Sequence, residues 1–175
     1  KTSDKKDIHH FCNISGKDYK NKIIYAPGDT LQDFLNRLTI ELSRKKTEWF
    51  IVGFLENLIP RYMLEIKGRT SWVTYNQREI ISTAKALKTN TLVTLHNHPS
   101  SAVTGPLLGP SNNDIKSAYS FYFQCKNADL DFIDDFIISG NSYRAHMNNF
   151  LEKAGMIELK TGINSFLYLY LRKGD

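Results

Sequence analysis

Cysteine is scarce in this chain of 175 residues. Cys12 and Cys125 are its two cysteines, with no C-x-x-C spacing. A disulfide framework and a cysteine-built zinc finger are therefore both excluded, and a reducing, cytoplasmic setting is the simpler expectation. Long apolar runs are lacking too. Phe166-Leu167-Tyr168-Leu169-Tyr170-Leu171 falls far short of the roughly 20 residues that span a bilayer, so no membrane partner is expected. H-E-x-x-H and P-loop patterns are absent, as is any Cys–His or Ser–His pairing motif. Charge is not extreme: 23 Lys and Arg against 18 Asp and Glu leave +5. Six Lys and three Asp of that balance fall in residues 1–22. Residues 1–20 are accordingly expected to form a flexible, solvated leader, with His9 and His10 as solvated side chains. Hydrophobic content of 41% and charged content of 23% suit one globular domain over residues 21–175.

Against these absences stands one dense stretch. Thr91-Leu92-Val93-Thr94-Leu95 reads as a buried strand and runs directly into His96-Asn97-His98-Pro99. Side chains alternate along an extended chain, so His96 and His98 project to one side. A Gly/Pro-rich loop leads from there to Ser111 and Asp114. Ser111-x-x-Asp114 has the form of a helix N-cap with an acid three positions on. Capping and ligation are compatible, because Asp114 in the first helical turn can also face a cation. Two imidazoles and a carboxylate give a three-ligand set with one position left for water, the pattern of a catalytic rather than a structural zinc site. His and Asp also suit iron or manganese.

The rest of the chain alternates strands and helices. Asn21 to Tyr25 reads as a short strand. Leu31, Phe34, Leu35, Leu38 and Leu42 form the stripe of a helix capped by Asp29 or Thr30, and Arg44-Lys45-Lys46 suit its negative end. Trp49 to Leu55 is a central strand, Asn57 to Pro60 a turn, Tyr62 to Ile66 the returning strand, and Ser71 to Tyr75 a third strand of a meander. Asn76-Gln77-Arg78-Glu79 starts a second helix carrying Ile80, Ile81, Ala84 and Leu87. A third helix is expected from Ser111 to about Lys126, burying Ile115, Ala118, Tyr119, Tyr122 and Cys125. Asp131 to Ser139 is a strand joined through Gly140-Asn141 to a strand over Tyr143 to Met147. Asn149 to Gly155 reads as a short helix, and residues 156–173 as either hairpin strands or a terminal helix. The fold class is α/β, a mixed sheet with helices against it.

The words His96-x-His98-Pro99 and Ser111-x-x-Asp114 resemble the signature of the JAB/MPN (JAMM) metalloprotease superfamily. Within it, Arg78-Glu79-Ile80-Ile81, Leu95 to Ser100, Pro110-Ser111 and Asp135 to Gly140 followed by Tyr143 look most like a RadC-type JAB domain. The likeness covers roughly residues 25 to 147. It implies a curved mixed sheet in a cytidine-deaminase-like sandwich, with zinc held by His96, His98 and Asp114. It also implies a catalytic Glu just ahead of an apolar strand, which is Glu48. The residues alone leave Glu48, Glu56, Glu65 and Glu79 open, although the cap position already accounts for Glu79. By the same resemblance Ser111 donates a hydrogen bond to the developing oxyanion. Two departures stand out: the loop of residues 100–110 is long for the family, and Phe136 replaces a His commonly found after the Asp.

Three functions follow. The first is a zinc-dependent peptidase or isopeptidase acting on a protein with an extended, ubiquitin-like C-terminal tail. The second is a RadC-like nucleic-acid-associated protein, with Tyr143, Arg144, Tyr168, Tyr170, Arg172 and Lys173 stacking bases and neutralising phosphates. The third is a non-catalytic JAB/MPN scaffold, ranked last because the ligand set is intact.

Overall fold

The computed structural model describes residues 22–26, 30–68, 75–99, 109–140 and 142–147. The expected leader, the strand at residues 71–74, most of the loop of residues 100–110, and everything after residue 147 lie outside them. Six strands and three helices follow in order: β1 (Lys22–Tyr25), α1 (Leu31–Ser43), β2 (Trp49–Glu56), β3 (Ile59–Lys67), α2 (Gln77–Ala86), β4 (Thr91–Asn97), α3 (Asn112–Asn127), β5 (Asp131–Ser139) and β6 (Ser142–Ala145). The strands form one sheet in the order β1-β3-β2-β4-β5-β6. Every neighbouring pair is antiparallel except β4 and β5, which run parallel with α3 as the crossover between them. This is an α/β sandwich with a mixed sheet.

Helices cover both faces. On one, Phe34, Leu35, Leu38 and Leu42 of α1 pack with Ile51, Val93, Leu95 and Ile138 of the sheet. On the other, Ile80 and Ala84 of α2 and Ala118, Phe121 and Cys125 of α3 pack with Phe50, Val52, Leu92 and Phe132. Such two-sided cover explains why β2 and β4 read as nearly continuous apolar runs. Gly53 in the centre of β2 is a packing requirement. A Cβ there would stand 2.7 Å from Val93 Cγ1 and 3.1 Å from the Phe34 ring, so α1 sits this close only over a glycine. Burial pushes the Cys125 thiol up to about 12, which makes it an inert core side chain.

Helix starts follow their expected caps. Thr30 Oγ1 accepts from Asp33 N, and Asn76 Oδ1 accepts from Glu79 N. Two local expectations need correction. The turn after β2 is only Asn57-Leu58, both at positive φ (52° and 65°), so β3 begins at Ile59 and includes Pro60. Among the described residues Pro60 lies beyond the β1–β3 register, which runs from Tyr62 to Glu65, and beside the register shift at Phe54–Leu55 of β2. The second correction concerns α3, where Ile115 and Tyr119 are exposed and Phe121 is buried. Two apolar stripes compete on this helix, and contact with β5 selects the one through Ala118, Phe121 and Cys125. That stripe continues backwards at helical spacing to Asp114, so burying it also turns Asp114 toward the sheet.

Candidate metal centre

The parallel strand β4 ends at the site. His96 and His98 project from its C-terminal end, Asp114 comes from the first turn of α3, and Glu48 directly precedes β2, which pairs with β4. One ligating atom from each of Glu48, His96, His98 and Asp114 lies within 4.8 Å of all the others. His96 Nε2 and His98 Nε2 are 3.2 Å apart. Asp114 Oδ1 lies 3.3 Å from His96 Nε2, and Asp114 Oδ2 lies 3.1 Å from His98 Nε2. Four ligands placed tetrahedrally at zinc bond lengths are about 3.3 Å from one another. The three separations match that spacing, with His96 facing Oδ1 and His98 facing Oδ2 of Asp114. The donor chemistry also fits: two imidazole nitrogens facing each other and a shared carboxylate converge more lone pairs than ring protons can serve.

Asp114 performs two tasks at once. Its Oδ2 accepts from Ser111 N at 2.9 Å, while Ser111 Oγ accepts from Asp114 N at 3.0 Å, a complete capping box. Acting as an acceptor there, the Ser111 hydroxyl keeps its own proton to donate. Burial works against the charge on Asp114, but His96, His98 and the Ser111 N–H outweigh it and hold the carboxyl far below its usual range.

Behind His96 stands Asp135 on β5, a residue not singled out for the site from sequence. Both of its oxygens lie 3.3 Å from His96 Nδ1. Thr94 Oγ1 donates to Asp135 Oδ1 at 2.8 Å, and His146 Nε2 lies 2.8 Å from Asp135 Oδ2. A carboxylate on Nδ1 directs Nε2 of the same ring to the front of the site. Burial opposes ionisation of Asp135, yet His96 and His146 hold it at about 2. Burial likewise opposes a charged His96, but Asp135 and Asp114 raise its pKa well above 6.5. A cation bound here thus competes with protonation of His96. The sequence did carry a signal: Asp134-Asp135 interrupts the buried run of β5, and buried carboxylates require partners.

Glu48 is buried at the edge of the cluster. Desolvation raises its pKa, partly offset by His96 and His98. Its position is fixed by Asn97, the residue between the two histidines. Trp49 N donates to Asn97 Oδ1 at 2.6 Å, and Asn97 Nδ2 donates to Thr47 O at 3.0 Å. Of the other carboxylates weighed, Glu56 pairs with Arg61 at 3.4 Å on the surface, and Glu79 sits in the first turn of α2. Neither belongs to the cluster. Tyr143, expected to stack bases, is a core residue whose hydroxyl accepts from Gln32 Nε2 at 2.6 Å. Phe136 is buried edge-on against it. No helix among the described residues is long and apolar enough to cross a membrane.

Comparison with known families agrees with this geometry. The RadC-like JAB domain profile matches residues 29–150, and the chain belongs to that family. It is 26% identical over 125 residues to a UPF0758 protein of Polaromonas sp. (strain JS666 / ATCC BAA-500), a match covering 70% of this chain and 52% of the relative. The chain thus spans about half the length of that relative.

Proposed function

We propose that this domain is a zinc-dependent peptidase or isopeptidase, acting on a protein with an extended, ubiquitin-like C-terminal tail. The observation that carries the proposal is the convergence of His96, His98 and Asp114, with nitrogen–nitrogen and nitrogen–oxygen separations of 3.1–3.3 Å and Glu48 alongside. His96, His98 and Asp114 would hold the ion. When bound, zinc supplies a Lewis acid able to bring the pKa of a water to about 7.

The chain's own residues supply the rest. Glu48, with its raised pKa, takes a proton from the attacking water and returns it to the departing amine, serving as base and then acid. Ser111 donates to the oxygen on which negative charge develops, a contact of a kind worth about 10²–10³ in rate. Asp135 keeps His96 in the tautomer that presents Nε2.

The test combines metal analysis with cleavage. Purified chain is expected to take up one equivalent of zinc and to lose it on His96→Ala. Cleavage of a ubiquitin-like fusion is expected to stop on chelation and to return with added zinc. Cleavage that persists after complete chelation would overturn the proposal.

A further inference from the structure

A second feature adjoins the cluster of metal-ligating side chains at His98. A partly open pocket of about 400 Å³ lies between the C-terminal end of α1, the end of β4 and the turn between β5 and β6. Its lining includes the apolar Leu42 and Ile138 and the basic Arg44, Lys45 and Lys46, and His98 belongs to both the pocket and the cluster. Among the described residues no carboxylate lines it. No ion pair found among those residues uses any of the three cations. Lys45 is held in place, its ammonium 4.7 Å from the centre of the Trp49 ring.

We infer that this pocket is a specificity subsite for an acidic residue of a peptide substrate, its carboxylate facing Arg44, Lys45 and Lys46. The inference deepens the peptidase proposal and rests on it. The basic triplet closes α1, and compensation of the helix dipole would explain it on an open surface. Here the three residues instead border a partly open pocket whose lining includes His98, a residue of the candidate reaction centre. A recess with both apolar and basic residues in its lining suits a side chain whose stem packs and whose head is charged. Nucleic acid calls instead for a basic track with stacking aromatics, and Tyr143 is buried in the core.

The probes are two N-acetylated, C-amidated peptides, Gly-Gly-Glu-Gly-Gly and its Gln counterpart, with a single-stranded oligothymidine as the third. Each is titrated into the zinc-free and the zinc-loaded chain while amide shifts of Ser139 and Gly140 are followed. The Glu peptide is expected to bind about tenfold tighter than the Gln peptide, the gain of a charge-assisted contact, and to move both amides. The advantage should vanish in the Arg44→Gln/Lys46→Gln variant, whose melting temperature and zinc content stay those of the parent. Lys45 is kept because it packs on Trp49. Equal binding of the two peptides, or an advantage that survives in the variant, would overturn the inference. So would an oligothymidine that competes for the same amides and binds more tightly. Because preference is also read without zinc, failure of the peptidase proposal shows separately, as absent zinc uptake or absent cleavage.

Discussion

Asn97 Oδ1 accepts the backbone N–H of Trp49 at 2.6 Å, while the same side-chain amide donates to Thr47 O at 3.0 Å. A single side chain therefore grips the backbone on both sides of Glu48. It stands in for the ladder where pairing between β2 and β4 ends at Phe50 and His96. The tripeptide His96-Asn97-His98 thus supplies two imidazoles in front and anchors the carboxylate from the side.

Asn97→Ala should consequently damage activity more than metal binding. Two backbone groups lose their partner, so stability is expected to fall by about 1–3 kcal/mol, read by urea unfolding. Zinc stoichiometry should stay at one while kcat drops and KM changes little. A zinc-free Asn97→Ala protein would show that the side chain supports the ligands rather than Glu48.

Asp135→Asn should weaken zinc affinity by about 10–100-fold, the usual consequence of removing a carboxylate from behind a ligating His. Competition titration with a chromophoric chelator measures this. His146→Gln, which leaves the Asp135 carboxylate itself in place behind His96, should cost less.

The same network sets an acid limb of stability in the zinc-free chain. Asp135 is held at about 2, below its ordinary 3.8. Its stabilisation is therefore present above pH 4 and disappears as pH falls toward 2. His96 has a raised pKa, so its contribution is complete below pH 6.5 and declines as pH rises through the folded value. Asp135→Asn should flatten both limbs in a series of thermal melts across pH.

Glu48→Gln should abolish cleavage and leave one zinc bound. Because burial raises the pKa of this carboxyl, its charge opposes folding at neutral pH. The variant is therefore expected to melt no lower than the parent. A clearly lower melting temperature would mean that Glu48 is held for structure.

Gly53→Ala tests the fold independently of the site. The new methyl would lie 2.7 Å from Val93 Cγ1, and relieving it should cost about 1–3 kcal/mol. Zinc uptake should persist in whatever fraction remains folded.

Much of the fold was legible in the sequence because local forces specify it. Periodicity set α1 and α2, caps at Thr30, Asn76 and Ser111 set the helix starts, and β5 matches its expected bounds from Asp131 to Ser139. The site was legible where chemistry is local in sequence, as in His96-x-His98 and Ser111-x-x-Asp114. Alternation along a strand and the first turn of a helix fix the directions of those side chains.

Tertiary packing decided the rest. On α3, contact with β5 chose between two apolar stripes, and with that choice aimed Asp114. On β5, a register shift opposite Leu92–Thr94 places Asp135 level with Thr94. Strict alternation from Phe132 would instead have turned Asp134 to the face of His96. A bulge arises from pairing between strands far apart in the chain, so no local pattern announces it. The sequence by itself determined which residues offer ligands, and the sheet determined which carboxylate stands behind them.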